Sequence, residues 1–433
     1  MHHPRERFAG SLSRRRFLKG GVVVAATLPT AGALLAACGD SKPSSDSAVA
    51  QLQHATREEP ATFPITDSNP AIGSDLPVES GATLKLFNWD AYMNRKVVTD
   101  FEKKFDCKVE TSTFGTWDEG IAKIKSGQGD WDIYFPSFDL IDKLQLAELV
   151  QPLNHDYLPN LAKNIWPQFG GSADQPFYDV GSHYSVPYTL FTTGIGYRND
   201  LVAAADQPEK LERPWDLLWN PKYKGKLGMY DDWGTTMGVA MFRNGFTDIN
   251  NAGQAEVDAA VAALLDAIEK TDTAFGINIT YEDLPKGVFV ATTAWSGDMT
   301  SAPYYGKESP PNTAPLLSYW YDPTIGYAGS DCMVILKQAQ NPVLAHQFLN
   351  YMMDEDVAFK NMGWVGYQHP QNAIVPDYFR DRSNKWSWIV YPNLLNTIAT
   401  PKEYDAATIF YDWPAAQSAM WAKGWEVVMS GAG

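Results

Sequence analysis

Two segments of the chain place an indole ring and a carboxylate directly after a predicted strand. The segment Asn88–Tyr92 follows the apolar run Leu84–Phe87, and the segment Trp295–Asp298 follows the run Val288–Ala294. Ligands of open α/β sheets bind at the carboxyl ends of the strands. A protonated amine carries only hydrogen-bond donors, so a dry site for it must offer carboxylates, and aromatic faces suit both its charge and its methylene chain. The segments therefore indicate a site for a cation, although Asn88–Tyr92 alone also fits the aromatic edge of a core.

Two further carboxylates lie beside predicted strands. Asp331 precedes the run Met333–Leu336, and Asp232 follows the run Leu227–Tyr230. A hydrogen bond to a charged group contributes about 1.5–3 kcal/mol, so several carboxylates and rings together can offset the hydration that a buried ammonium loses. Asp232 has a second interpretation, because Asp is a favoured N-cap residue and a helix is predicted to begin near Trp233.

The elements that must position these residues alternate between strand and helix periods. Three strands are predicted, with a helix after each of them, and an apolar stripe marks one face of each helix. The strands are Leu84–Phe87, Val109–Thr113 and Asp132–Phe135. Such alternation is typical of a parallel sheet, which places Ser137 at the same edge as Trp89.

A second α/β unit is predicted beyond Ser185–Phe191, which we interpret as a crossover. Strands are expected at Gly194–Tyr197, Leu227–Tyr230, Val288–Ala294 and Met333–Leu336, and helices at Val257–Lys270, after Asn341 and at Pro414–Met429.

Composition narrows the classes of function. The 433 residues carry a formal net charge of −16 and include three cysteines, none of them in a CxxC pair. An acidic protein of this kind is not expected to bind nucleic acid, and three cysteines make neither a disulfide scaffold nor a zinc ribbon. The length allows two lobes with separate cores.

The N-terminus carries two export motifs in the expected order. Arg14 and Arg15, with Phe17-Leu18-Lys19 nearby, resemble a twin-arginine signal, and the apolar residues that follow end in Leu35–Cys38, which resembles a bacterial lipobox. Residues 1–37 are thus predicted to be a twin-arginine lipoprotein signal, and Cys38 to be lipidated. A cleaved signal with an incidental cysteine is the alternative. Residues 38–82, rich in Ser, Pro, Asp and Ala after Cys38, are predicted to be a lipid anchor and flexible tether.

The order of short motifs carries a family resemblance. They are Asn88–Tyr92, Asp132–Ser137, Val186–Tyr188, Gly194–Tyr197, Trp215–Trp219, Tyr223–Leu227 and Asp231-Asp232. This succession resembles the spermidine/putrescine-binding proteins of bacterial ABC importers over roughly residues 83 to 429.

The resemblance implies an α/β, two-lobed periplasmic-binding-protein fold with a ligand cleft between the lobes. Lobe 1 would comprise residues 83–190 and 331–375, and lobe 2 residues 191–330 and 376–433. The implied function is to capture a polyamine and deliver it to the membrane permease, without catalysis, cofactor or metal. We expect a monomer, exported by the twin-arginine route and lipid-anchored to the outer face of the cytoplasmic membrane.

The family's ligand-binding positions fall on aromatic, acidic and hydroxyl residues of this chain. They are Trp89, Tyr92, Ser137, Asp232, Trp295, Asp298, Asp331, Tyr367 and Tyr411.

Three positions depart from the family pattern. Thr235 stands where a Glu is frequent, Gly329 stands where an aromatic residue is usual, and Asp139 replaces a Tyr of some members. Asp139 can also be interpreted as a solvated or capping residue, as can Asp90. The departures leave the particular amine open.

Other functions remain as alternatives. A binder of the same fold for an opine-like amine, an amino-phosphonate or a sugar stays open, although a phosphonate favours an Arg and no aligned position supplies one. A secreted hydrolase could also use paired carboxylates in a cleft. The chain contains no GxSxG, HExxH or P-loop motif.

Overall fold

The computed structural model describes residues 54–170, 174–411 and 413–431. The predicted signal and Cys38 lie outside these residues. Ten strands are described: β1 Thr83–Trp89, β2 Lys108–Phe114, β3 Ile133–Tyr134, β4 Ser185–Arg198, β5 Leu227–Met229, β6 Ala274–Phe275, β7 Ala291–Trp295, β8 Leu317–Trp320, β9 Tyr327–Ile335 and β10 Thr408–Ile409.

Short 3₁₀ turns and thirteen α-helices connect the strands of the described ranges. The α-helices are α1 Arg95–Phe105, α2 Trp117–Lys125, α3 Ile141–Leu146, α4 Pro159–Asn164, α5 Trp233–Arg243, α6 Gln254–Thr271, α7 Ser296–Ser301, α8 Pro310–Thr313, α9 Pro342–Met352, α10 Glu355–Val365, α11 Pro376–Arg380, α12 Pro401–Ala406 and α13 Ala415–Gly431. No helix in the described ranges is long and apolar enough to cross a membrane.

All ten strands belong to one mixed sheet. The order is β2-β1-β3-β9-β4-β7-β5-β6, with β10 beside β9 and β8 beside β4. The outer strands pair in parallel, β1 with β2 and β3, and β5 with β6 and β7. Parallel neighbours need long crossover connections, which the helices supply. The predicted strand–helix alternation around β1, β2 and β3 is confirmed.

The antiparallel pair β4 and β9 joins the two lobes. Val186 and Leu190 of β4 pack in the core around β1 and β3, whereas Ile195 and Tyr197 pack in the second core with α5, α6 and α13. One strand therefore crosses between the cores near Phe191, where the sequence predicted a crossover. The sequence predicted two separate elements here, and this is corrected: pairing with β9, β7 and β8 makes them one strand. Pro187 is tolerated because the register shifts beside it, as at a bulge.

Asp331 lies inside β9 and not before its strand, as the sequence suggested. The strand begins at Tyr327 because residues 327 to 330 pair with β4, just as the more apolar residues after them do. Asp331 itself pairs with Thr189. The register, set by distant residues, therefore places this carboxylate in the middle of the sheet.

The lobe limits stay a prediction, and the apolar clusters show how the chain packs near them. Residues Ala399–Ile409 pack with the core around β1 and β3. Residues Ala358–Ile398 instead form a third cluster with the region from Leu284 to Tyr319.

The described part of the predicted tether, residues 54–82, packs against the body and is not a free spacer. Ala61 and Phe63 are buried, and the Arg57 guanidinium donates to the carbonyls of Tyr404, Asp405 and Ala407. The Glu79 carboxylate accepts from Leu344 N–H in the first turn of α9 at 2.8 Å, where backbone donors lack helical partners. A few apolar and charged residues thus anchor a segment whose overall composition suggested flexibility.

Candidate ligand-binding site

Asp331 is a buried carboxylate at the centre of the sheet, with 8% of its surface exposed. The Tyr92 hydroxyl donates to its Oδ2 at 2.8 Å and lies 2.7 Å from the Thr189 hydroxyl. Burial raises the pKa of Asp331 to about 7, the negative charge of Asp139 adds to the rise, and the Tyr92 hydrogen bond opposes it. In the ligand-free protein, the ionised form of this carboxylate is therefore energetically unfavourable.

Asp298 is the second buried carboxylate, with 6% of its surface exposed. It lies in the first turn of α7, directly after β7. Tyr230 donates to its Oδ2 at 2.7 Å, and Tyr367 donates to its Oδ1 at 2.8 Å. Burial raises its pKa to about 6, against the two hydroxyl hydrogen bonds.

The tyrosines connect the two carboxylates. The rings of Tyr92 and Tyr367 pack edge to face with centroids 5.7 Å apart. The Tyr367 ring reaches Asp298 by packing on Gly297, where an added Cβ would lie 2.4 Å from the ring. We call Tyr92, Tyr230, Asp298, Asp331 and Tyr367 the carboxylate–tyrosine cluster. Burial and the neighbouring carboxylates raise the pKa of all three tyrosines well above 10, so their hydroxyls act as neutral donors.

Trp295 forms an aromatic wall beside this cluster. Its ring stacks on Tyr230 at 4.1 Å between centroids, and its backbone N–H donates to the Tyr230 hydroxyl at 2.9 Å. Phe191 extends the wall, with its ring 5.8 Å from Trp295 and 6.2 Å from Tyr367. Sequence reasoning missed Tyr230 and Phe191 as site residues. Only the register of the sheet shows that they face the predicted ones.

Ser137, which the sequence placed at the same sheet edge as Trp89, lies next to Asp331. The two residues form an isolated antiparallel bridge. The Ser137 hydroxyl donates to the Asp139 carboxylate. A third acidic group is thereby held near Asp331, and its charge contributes to the raised pKa of Asp331.

Asp232 is the N-cap of α5. Its carboxylate accepts from Thr235 N–H at 2.8 Å, which supports the capping interpretation. Its charge also raises the pKa of Tyr327, whose hydroxyl accepts from the Trp295 indole at 3.4 Å. Asp232 therefore lies at the border of the site, and its role as a helix cap is visible in the structure.

Trp89 and Tyr411 lie outside the contacts of the carboxylate–tyrosine cluster among the described residues. Trp89 packs against Phe114 and Trp117, at 4.5 and 4.6 Å between ring centroids. The Tyr411 hydroxyl accepts from Arg57 N–H at 3.3 Å, and its ring packs on Phe177. Both remain predicted ligand positions, supported by the resemblance alone.

The cluster is equipped to hold a cation. Each carboxylate can accept up to about four hydrogen bonds, so the tyrosines leave capacity for a donor from a ligand. In the described part of the chain, no three His, Cys, Asp or Glu side chains converge as metal ligands. Cys107 and Cys332 are both buried free thiols.

Comparison with known proteins identifies the family. A family model for bacterial extracellular solute-binding proteins matches residues 96–387. The chain belongs to this family. This solute-binding protein therefore acts outside the cytoplasm, as the extracellular family does.

The relatives of this solute-binding protein align with most of its chain. The spermidine/putrescine-binding periplasmic protein of Salmonella typhimurium is 26% identical over 306 residues, which are 70% of this chain and 82% of the relative. The putrescine-binding periplasmic protein PotF of Escherichia coli is 26% identical over 298 residues, which are 68% of this chain and 79% of the relative. The resemblance that the motifs indicated is confirmed.

A solved structure agrees on the fold of this solute-binding protein. The spermidine/putrescine ABC transporter substrate-binding protein PotD of Streptococcus pneumoniae superposes with a TM-score of 0.62 at 20% identity, covering 82% of this chain and 100% of that one. The predicted α/β, two-lobed periplasmic-binding-protein fold is confirmed.

Proposed function

We propose that this solute-binding protein captures a putrescine- or spermidine-like polyamine between its lobes. The observation that carries the proposal is the carboxylate–tyrosine cluster, in which two buried carboxylates are connected through the contact of Tyr92 with Tyr367. A ligand with ammonium groups at both ends matches two carboxylates, and its methylenes match the rings between them.

Electrostatics support a cationic ligand. A buried carboxylate is unfavourable unless it is paired, and the raised pKa values of Asp298 and Asp331 express that penalty in the protein alone. An ammonium group would supply the missing positive charge and restore the ionised form. A neutral sugar would supply hydrogen bonds without charge, and it would leave the penalty in place.

The relatives support the same ligand class. Those compared above are named for binding spermidine or putrescine. The fold alone does not specify a ligand, so the proposal depends on the cluster and on these names together. Thr235, Gly329 and Asp139 leave the chain length of the amine open, and an opine-like amine, an amino-phosphonate or a sugar remains the competing class of ligand.

The biological role that we propose is transport without catalysis. The protein would deliver its ligand to the permease of an ABC importer as a monomer. It would be exported by the twin-arginine route and held at the outer face of the cytoplasmic membrane by a lipid on Cys38. The order of the two N-terminal motifs supports the export and the anchor.

Calorimetry and thermal shift on the protein without residues 1–38 test the ligand class. Putrescine and spermidine should bind at micromolar concentrations and raise the melting temperature, because a ligand that binds only the folded state stabilises it. Glycine, glutamate and glucose are the controls without two ammonium groups. Binding of glucose or glutamate without binding of either amine would replace the polyamine proposal with the competing class.

A further inference from the structure

The ring of Phe191 occupies the space that a side chain at position 329 would fill. Phe191 of β4 and Gly329 of β9 are directly paired in the sheet. A Cβ added to Gly329 would lie 2.6 Å from Cζ of Phe191, closer than real Cβ atoms approach, and 3.0 Å from its Cε1. A side chain at position 329 would therefore displace this ring.

The register places this ring on the same face of the sheet as Asp331. Paired residues share a face, and side chains along a strand alternate between faces. The pairs Thr189 with Asp331, Phe191 with Gly329, and Thr193 with Tyr327 therefore form one row. Phe191 lies one step along that row from Asp331, about 7 Å at the usual rise per residue.

The other end of the row is the aromatic wall of the site. Thr193 pairs with Trp295, whose ring lies 5.8 Å from that of Phe191. Phe191 is half-buried and also packs edge to face on Tyr367. Its ring thus stands between Asp331 and the residues around Asp298, and it presents no polar atom to this stretch.

We infer that Phe191 is a specificity-determining residue of the site, and that its ring, supplied from β4 across Gly329 of β9, is the wall for the methylene chain of the ligand. The inference rests on the proposed polyamine function. It requires an unbranched hydrocarbon stretch at this point of the ligand, because a hydroxylated chain would lose its hydrogen bonds to water against a phenyl ring.

A packing test requires no ligand. Gly329→Ala should lower the melting temperature in the otherwise unmodified protein, because its Cβ meets the Phe191 ring. In a Phe191→Ala background the same change should cause no loss. If Gly329→Ala lowers the melting temperature equally in the two backgrounds, the Phe191 ring does not occupy the space of a side chain at position 329, and the inference is overturned.

A ligand test measures the wall itself by calorimetry with putrescine and spermidine. Phe191→Ala should weaken binding about 3- to 30-fold, because the methylene chain loses its apolar contact. Phe191→Ala with Gly329→Phe, which returns the ring from the other strand, should recover affinity to within about threefold. Phe275→Ala is the matched control, since Phe275 is half-buried and packs edge to face on Trp425.

The outcomes separate the inference from the proposed function. Unchanged affinity of Phe191→Ala, in a protein that binds the amines, overturns the wall alone. If Phe191→Ala loses affinity that Gly329→Phe does not recover, although the double variant still unfolds cooperatively, the claim that a ring at position 329 can replace the ring of Phe191 is overturned. Absence of amine binding by the unmodified protein overturns the proposed function and the wall with it, whatever the melting temperatures show.

Discussion

The Tyr92 hydroxyl donates a 2.8 Å hydrogen bond to the Asp331 carboxylate across 239 residues of chain. Tyr92 follows the first strand of the sheet, whereas Asp331 lies within the ninth. The bond gives a buried carboxylate one donor and leaves its charge uncompensated. Asp298 is in the same position, with two hydroxyl donors and no cationic side chain beside it among the described residues.

Removing the charge of either carboxylate should weaken amine binding. Asp331→Asn and Asp298→Asn keep the size of the side chain, and each should cost about 1.5–3 kcal/mol of binding free energy, or roughly 10- to 150-fold in Kd. Calorimetry with putrescine at low and high salt measures the loss. Asp377→Asn is the control, because Asp377 is an exposed partner of Arg380 and should change affinity little. Equal Kd values for all three variants would contradict the proposed ligand contacts.

Amine affinity should fall as the pH is lowered. The pKa values in the ligand-free protein are about 7 for Asp331 and about 6 for Asp298, so both carboxyls are largely neutral at pH 5 and ionised at pH 8. An ammonium ligand binds the ionised forms, so Kd should rise from pH 8 to pH 5, at most about tenfold per pH unit for each carboxyl. Calorimetry at pH 6.5 in two buffers of different ionisation enthalpy should show proton release. A constant Kd over this range would contradict the prediction.

The same raised pKa values should make the ligand-free protein less stable as the pH rises, whereas they make its affinity for the amine greater. Both folded-state values lie above the ordinary value of 3.8, so the folded state binds more protons than the unfolded state between about pH 4 and 7. The contribution of these two carboxyls to the free energy of unfolding therefore falls as the pH rises through that window. Urea unfolding of unmodified protein and of Asp331→Asn at pH 5 and pH 8 should show a smaller loss in the variant.

The Tyr92 hydroxyl should matter most near neutral pH. Its hydrogen bond lowers the pKa of Asp331, so Tyr92→Phe should raise that pKa further and increase the neutral fraction at pH 7. The loss of amine affinity should then be larger at pH 7 than at pH 8.5. Tyr157→Phe, which removes a hydroxyl that donates to Gly73 O at 3.0 Å, is the control. A loss that is independent of pH would contradict a role of the hydroxyl through the pKa of Asp331.

Asp232 should stabilise the protein through its helix cap. Asp232→Ala removes the acceptor for Thr235 N–H and should lower the free energy of unfolding by about 0.5–2 kcal/mol. Asp232→Asn keeps a capping oxygen and should be close to neutral. Urea unfolding of the ligand-free protein measures both. If the Asn variant is stable but binds putrescine more weakly, the carboxylate also acts on the ligand.

The export motifs predict two separable defects. Arg14→Lys with Arg15→Lys should block export by the twin-arginine route, whereas Cys38→Ala should allow export and prevent lipidation. Cell fractionation and labelling with a fatty-acid probe distinguish these results. Normal amounts of the double Lys variant outside the cytoplasm would show that another route is used.

Local periodicity was sufficient to predict the elements that flank the site. The apolar positions of α1 recur with helical spacing, and Val97 and Phe101 are buried as expected. The apolar runs at β1 and β5 predicted strands because short buried strands carry their own hydrophobic signal. Trp295 and Asp298 were recognisable as strand-end residues for the same reason.

The sequence by itself thus determined the elements that flank the site, which of them end in rings or carboxylates, and the export motifs. The tertiary structure decided which of these residues meet. It placed Asp331 inside β9, aimed Tyr230 and Tyr367 at Asp298, and brought Phe191 over Gly329. The physical reason is that strand register is set by pairing between distant segments, and a shift of one residue would turn every side chain of a strand to the other face.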